Sequence, residues 1–331
     1  MDKINLEFGG KKGFVFIDEI QRKENAGLFL KGMYDSGLPC KFIVSGSGSL
    51  ELKEHIHESL AGRKKVFHLS TISMFEFVNY KTGYAYENRL EKFLDIEKTQ
   101  TKSFLTEYLR FGGYPRVILS HTLTEKQDTI RDIFQSYVER DISALLHLEK
   151  TELVFQLLKL LSENAGNFVN VSALANALGV SAQTVKHYLW YLEKTFMIDR
   201  VTPFTRRSGR EISKSPIVYF TDIGLRNFVN NTFSHDLTPS EIGFNFQNLV
   251  FNLLKEHLSQ TAAGIHYFRT KDGAEVDFVI EIGSRIFPLE VKYTWKNPLP
   301  RAVRSFALKY QSEPGQVITS EDFYDLPSRL H

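Results

Sequence analysis

The run Gly13-Phe14-Val15-Phe16-Ile17-Asp18-Glu19-Ile20-Gln21 is an apolar strand that ends in adjacent carboxylates, and no other segment constrains the fold so strongly. Carboxylates at such a strand end hold the Mg²⁺ of a nucleotide only when a G-x-x-x-x-G-K-[ST] loop cradles the phosphates with backbone N–H groups and a Lys. The 331 residues contain no such loop, and none of the clusters Gly9-Gly10, Gly46-Ser47-Gly48 and Gly112-Gly113 continues as Gly-Lys-Ser or Gly-Lys-Thr. Two readings of Asp18 and Glu19 therefore stand side by side. They are half of a nucleotide site, or they are a polar strand end leading into a helix N-terminus, where the helix dipole favours carboxylates. A second apolar run, Lys41-Phe42-Ile43-Val44, ends in Ser45-Gly46-Ser47, which places Ser45 in a sensor position beside such a nucleotide.

Composition sets the bounds. With 42% hydrophobic and 24% charged residues the chain reads as globular, and its length fits two or three domains. The 41 basic and 39 acidic residues nearly cancel, so a nucleic-acid partner has to be argued from local clusters. The single Cys40 excludes an internal disulfide and a cysteine-based zinc site. No apolar signal region opens the chain and no run approaches a membrane span, so the expectation is a cytoplasmic protein with no membrane partner.

Residues 1–80 read as strand, helix, strand, helix, strand, the last strand being Val66-Phe67-His68-Leu69. Parallel strands need both faces covered, so without a strand bearing the phosphate loop this sheet has exposed edges and an incomplete core. A stretch of mixed polarity, Asn79 to Lys102, precedes an amphipathic helix over Thr124 to Lys150. From Thr151 the pattern is helix, helix, Gly179-Val180 turn and Ser181-capped helix, a helix-turn-helix signature. Two strand-like runs, Met197 to Phe204 and Ile217 to Thr221, flank a basic wing. Between Asp199 and Lys214 five basic residues (Arg200, Arg206, Arg207, Arg210, Lys214) face two acidic ones, Asp199 and Glu211. On the third helix Gln183, Thr184, Lys186 and His187 fall on a groove-facing side, with Val185, Leu189 and Leu192 toward the core. The expected partner is double-stranded DNA; the alternative is a protein-docking module with a solvated polar face.

The C-terminal third carries the sharpest chemistry. Ala274-Glu275-Val276-Asp277-Phe278-Val279-Ile280-Glu281 alternates as a strand, and Ile286-Phe287-Pro288-Leu289-Glu290-Val291-Lys292 returns after a turn at Gly283-Ser284. Strand alternation puts Glu290 and Lys292 on one face, and pairing of the two strands brings Asp277 beside them. Asp277 and Glu290 supply hard oxygen ligands suited to Mg²⁺, with the Val291 carbonyl as a third. Lys292 is placed to position a water or hold phosphate oxygens. This arrangement resembles the PD-(D/E)xK restriction-endonuclease-like fold.

The order Asp18-Glu19-Ile20-Gln21, Ser45-Gly46-Ser47, Leu60-Ala61-Gly62-Arg63 and Leu69-Ser70-Thr71-Ile72-Ser73-Met74-Phe75-Glu76-Phe77 resembles the AAA-type (AAA_14) ATPases of bacteria and archaea that carry a C-terminal DUF4143 domain. Ser45 departs from the usual Thr, Thr71 from Pro and Met74 from Phe. The resemblance continues through Tyr137-Val138-Glu139-Arg140-Asp141-Ile142 and Lys214 to Leu225, and it implies that the first segment of the family, with its phosphate loop, is missing by truncation. It implies assembly into a homo-oligomer, with Arg63 near a phosphate of the same or a neighbouring subunit. ATP is expected as a ligand only if the missing loop is supplied, and Mg²⁺ is the expected cofactor. Arg269 and Glu275 match family runs, with Phe268 for the usual Trp, so Glu275 is a further ligand or a salt-bridge partner for Arg269. The helix usually reading Phe-Glu-Asn-Leu has Gln247 in place of the acid, and a neutral carbonyl holds Mg²⁺ more weakly.

The expected fold is α/β in four segments. They are a partial P-loop NTPase domain (1–80), a helical linker (81–150), a winged helix-turn-helix (151–225) and a mixed-sheet restriction-endonuclease-like domain (226–331). The expected function is that of a DNA-associated, ATPase-like protein with an incomplete nucleotide site. A degenerate nuclease site, with Glu290 and Lys292 paired, is set against a Mg²⁺-dependent DNA nuclease, and a non-enzymatic scaffold is the third alternative.

Overall fold

The computed structural model describes residues 6–8, 10–46, 62–137, 152–164, 166–205, 215–270 and 272–330. They belong to two compact units, one built on residues 1–69 with 135–151 and 189–196, the other on 70–134, 152–188 and 197–331. The chain is mixed α/β, as its patterning requires.

In the first unit, β1 (Gly13–Ile17), helix α1 (Ala26–Asp35) and β2 (Cys40–Val44) form a β-α-β turn of chain, with β1 and β2 parallel and in register from Gly13↔Cys40 to Ile17↔Val44. Leu30 and Met33 project from one side of α1 and pack with Ile20 against Ile17, Phe42 and Val44. Alternation then sends Phe14, Phe16 and Ile43 to the other side, where all three are exposed. The third strand expected at Val66–Leu69 does not form: these residues join no β-ladder among the described residues, and Leu69 is 103% exposed. The physical reason is the missing neighbour, because among the described residues β1 and β2 pair only with each other and offer no buried slot. The helix expected between β2 and this segment lies outside the described residues.

The second unit begins with helices α2 (Met74–Lys81), α3 (Leu90–Ile96), α4 (Lys98–Phe111), α5 (Pro115–Leu119) and α6 (Leu123–Tyr137), the last three residues of α6 counting with the first unit. Helix thus starts earlier than the polarity of Asn79 to Lys102 indicates. The cause is a capping box in which Ser73 accepts from Glu76 N–H while the Glu76 carboxylate accepts from Ser73 N–H. Helices α7 (Glu152–Glu163), α8 (Val171–Leu178) and α9 (Ala182–Lys194), whose residues from 189 on count with the first unit, lead into antiparallel strands β3 (Ile198–Pro203) and β4 (Ile217–Phe220). After α10 (Ile223–Val229) come α11 (Pro239–Leu258), β5 (Gly264–Arg269), β6 (Glu275–Ile282), β7 (Arg285–Val291), α12 (Arg301–Tyr310) and β8 (Gln316–Ile318).

The strands join in one six-stranded mixed sheet, ordered β4-β3-β5-β6-β7-β8, because β3 pairs in parallel with β5. One sheet therefore runs through segments that the sequence pattern separates at residue 225. Helix α11 covers one face through Phe246, Leu249, Val250 and Leu253, and α12 covers the other through Val303 and Phe306. A tight crossing fixes the helices before it. An added Cβ on Gly113 would lie 2.1 Å from Ile72 O and one on Gly224 2.0 Å from Phe111 O, so only glycine lets these backbones touch. Buried Asp222 sits at this crossing and accepts from Gly113 N–H and Leu225 N–H, both at 2.8 Å.

Candidate carboxylate–lysine site

Helix α11 opens with a capping box between Thr238 and Glu241 and with Pro239 in its first turn. Its apolar stripe locks its rotation, which leaves Gln247 beside β6, where Nε2 donates to Asp277 Oδ1 at 3.1 Å. The next residue, Asn248, is buried and clamps the backbone of Phe220, accepting from its N–H at 2.9 Å and donating to its carbonyl at 2.7 Å. The free backbone groups of Phe220 on β4 are thereby satisfied, which shortens the open template for strand pairing.

Asp277 occupies a β-bulge. The β5–β6 register passes from His266↔Val279 to Phe268↔Val276, so β6 holds one extra residue at Asp277-Phe278. Pairing with β7 begins only at Phe278↔Leu289, which leaves Asp277 outside the ladder. Its Oδ2 instead accepts from Val291 N–H at 2.8 Å, standing in for a backbone carbonyl. Glu290 near the end of β7 and Lys292 just past it alternate with Val291, and the Lys292 ammonium lies 2.8 Å from Glu290 Oε1 and 3.6 Å from Asp277 Oδ2. Lys292 N–H donates to Ile318 O at 3.0 Å, so the parallel partner β8 fixes the backbone from which this side chain rises.

Burial dominates the electrostatics. It pushes the Asp277 carboxyl above its ordinary range against the opposing pull of Lys292 and the Val291 N–H. Glu290 is raised by burial first and by the Asp277 charge second. Burial alone would lower the Lys292 ammonium, but Asp277 and Glu290 outweigh it and hold the group above its usual value. Glu275 is raised by burial and then by Asp277, and Arg269 lies 4.0 Å from it, with the guanidinium 4.6 Å from the Phe168 ring centroid.

Asp277 and Glu290 form a donor set fit for a divalent cation, since Glu290 Oε2 is buried with no hydrogen-bond partner. The set is small. Among the described residues no group of three or more His, Cys, Asp and Glu side chains is arranged to hold a metal, and Gln247 presents an N–H to Asp277 where an acid would add charge. Asp277, Glu290, Lys292 and the neutral Gln247 amide by themselves sum to about one negative charge, and Glu275 lies at their flank.

Of the residues singled out in the sequence, Asp277, Glu290, Lys292, Gln247 and Glu275 are brought together, with Arg269 at the margin. Asp18 and Ser45 also meet, through a hydrogen bond from Ser45 Oγ to Asp18 Oδ1 at the carboxyl ends of β1 and β2. Glu19 is adjacent, in a left-handed conformation with φ 52° and paired with Arg22 at 3.4 Å. Arg63 is not brought to them. It lies 3.8 Å from Asp35 and 5.7 Å from the Tyr34 ring, at the end of α1 that faces the start of β2. On α9, Gln183, Lys186 and His187 are exposed and Val185, Leu189 and Leu192 buried, whereas Thr184 joins the helix cap, its hydroxyl 2.8 Å from Ser181 Oγ. Arg206, Arg207, Arg210 and Lys214 lie outside the described residues. The bulge at Asp277, the Val291 N–H contact and the clamp by Asn248 carried no sequence signal, since each joins elements that only the sheet order makes neighbours.

Family models match three stretches: an AAA domain over residues 1–78, a domain of unknown function (DUF8612) over 102–236 and a domain of unknown function (DUF4143) over 242–327. The chain thus combines an AAA-type domain with a C-terminal DUF4143 domain. Among curated proteins it is similar to the uncharacterized protein Rv2008c of Mycobacterium tuberculosis, 26% identical over 313 residues, 92% of this chain and 64% of that protein. The uncharacterized protein MJ1544 of Methanocaldococcus jannaschii is 26% identical over 283 residues, 84% of this chain and 60% of its own length. The chain therefore spans less than two thirds of these relatives. Among solved structures, Can2 from Sulfobacillus thermosulfidooxidans in complex with cyclic tetra-adenylate aligns over 99% of this chain and 93% of its own, at 10% identity and a TM-score of 0.18, too low to carry an argument. No described helix is long and apolar enough to cross a membrane.

Proposed function

We propose that this chain is a DNA-associated, ATPase-like protein whose C-terminal site binds a divalent cation weakly and cleaves DNA little or not at all. The observation that carries the reading is the position of Lys292, whose ammonium contacts both Glu290 and Asp277 while Gln247 supplies only an amide. The chain's own cation largely neutralises the carboxylates, which leaves a shallow charge well for Mg²⁺. Support for DNA contact comes from the exposed Gln183, Lys186 and His187 on α9 and from the basic segment between β3 and β4. Asp277 and Glu290 would hold Mg²⁺, which would supply charge stabilisation at a phosphate and activation of a water. Lys292 then serves to hold a phosphate oxygen, and Gln247 to orient Asp277.

The orphaned Glu290 Oε2 favours a second reading, a Mg²⁺-dependent DNA nuclease. One experiment addresses both: affinity for a labelled duplex across a salt series, with and without Mg²⁺, followed by cleavage of the same duplex. The expected result is salt-dependent binding with little cleavage. Replacing Arg206, Arg207 and Arg210 with Ala should weaken binding across sequences and reduce the log–log salt slope by about 0.9 for each phosphate no longer neutralised. Unchanged affinity and slope point to a protein-docking scaffold, and robust cleavage abolished by Lys292→Ala establishes the nuclease.

A further inference from the structure

Strand β4 delivers a tyrosine to the flank of the carboxylate site. The Tyr219 ring is buried, stacked on Phe251 of α11 with centroids 4.6 Å apart and set against Phe278 at 5.6 Å. Phe278 is the bulge partner of Asp277, and Tyr219 directly precedes Phe220, whose backbone Asn248 clamps. Consecutive residues of α11 thus hold Asp277, through Gln247, and the strand carrying Tyr219, through Asn248. The Tyr219 hydroxyl is buried and has no hydrogen-bond partner. The nearby Tyr267, by contrast, donates to Ser215 O at 2.7 Å. A buried tyrosine hydroxyl ordinarily finds an acceptor, because leaving it unpaired forfeits its hydration. Burial raises the Tyr219 hydroxyl well above its ordinary range, and the charges of Asp277 and Glu275 add to that rise, so it stays a proton-bearing donor. With Glu290 Oε2, the site holds one unused donor and one unused acceptor.

We propose that Tyr219 is a positioning residue of this site: when a divalent cation takes Glu290 Oε2 and displaces the Lys292 ammonium from Asp277, the Tyr219 hydroxyl donates to the Asp277 carboxylate. This rests on the weak cation site proposed above. The aromatic stack already fixes the ring, so the hydroxyl is presented without the entropy cost of ordering a free side chain. It steadies the Asp277 carboxylate, which the neutral Gln247 contacts only through Oδ1.

Tyr219→Phe removes the hydroxyl and keeps the ring. The test is calorimetric titration of Mn²⁺ into the 331-residue chain and into Tyr219→Phe, with Asp277→Asn as the site control, and thermal melts of each without metal. The expected result is a Kd for Mn²⁺ raised about tenfold in Tyr219→Phe, the worth of one hydrogen bond to a charged group. Its metal-free melting temperature should be equal or higher, since a purely structural hydroxyl has no partner to lose. Equal Kd values for the two proteins overturn the role of Tyr219 while leaving the cation site standing. No saturable Mn²⁺ binding by the unmodified chain, or binding that survives Asp277→Asn, overturns the cation site and Tyr219 with it.

Discussion

Gln247 Nε2 on α11 donates to Asp277 Oδ1 on β6 at 3.1 Å, so a neutral amide occupies the position from which an acid would complete the charge of the site. Gln247→Glu should tighten Mn²⁺ binding by about tenfold, roughly 1.4 kcal/mol for one more carboxylate in partial burial. Without metal the added charge faces Asp277, and the melting temperature should fall. Calorimetric titration and paired melts read both effects; a variant with unchanged Mn²⁺ affinity would place the cation elsewhere.

Lys292 is the countercharge for two buried carboxylates. Lys292→Met should destabilise the metal-free protein by about 2 kcal/mol, below the range for a wholly buried pair, because the Lys292 side chain is 41% exposed and water screens it. Mn²⁺ should recover part of the loss. Denaturant unfolding with and without Mn²⁺ checks this, and a variant as stable as the parent would show that Asp277 and Glu290 share a proton instead.

Asp222 is a helix N-cap and the acceptor at the glycine crossing. Asp222→Ala removes the acceptor of Gly113 N–H and Leu225 N–H, both buried contacts, and should cost about 3 kcal/mol. Urea unfolding measures the change, and a loss under about 1 kcal/mol, the worth of an ordinary cap, would show that the crossing needs no carboxylate.

Glu256 on α11 is raised above the ordinary Glu value by burial and then by the charge of Glu76. A carboxyl whose folded value is raised favours folding most at acid pH. Its charging costs stability as pH climbs from the ordinary carboxylate value through the raised one. Glu256→Gln should therefore raise the melting temperature at neutral pH and match the parent at acid pH. Melts across pH 3 to 8 test the sign, and a gain confined to acid pH would reverse it.

The face of β1 and β2 opposite α1 carries Phe14, Phe16 and Ile43 into solvent, with Phe16 73% exposed. Phe16→Lys should change stability by only about 0.5 kcal/mol, as exposed substitutions do, while suppressing self-association. Light scattering against concentration reads the effect; unchanged association would mean that this face is not the sticky one.

The helices of the chain were legible because apolar spacing and caps act within a few residues. Leu30 and Met33, or Phe246, Leu249 and Leu253, announce their faces locally, and Glu290 and Lys292 share a side because strands alternate. Val66–Leu69 misled for the complementary reason. Its residues have strand propensity, but a strand exists only where a partner offers its hydrogen bonds. Tertiary structure alone decided that β3 joins β5, which makes one sheet of segments the sequence separates. It also decided that an extra residue in β6 turns Asp277 out of the ladder toward Val291, Gln247 and Lys292. The sequence by itself determined which chemical groups the site could contain, since residue type fixes charge and ligand chemistry. Their distances, their burial and the shifted ionisation that follows depend on long-range strand order and on a one-residue register change, neither of which leaves a local pattern.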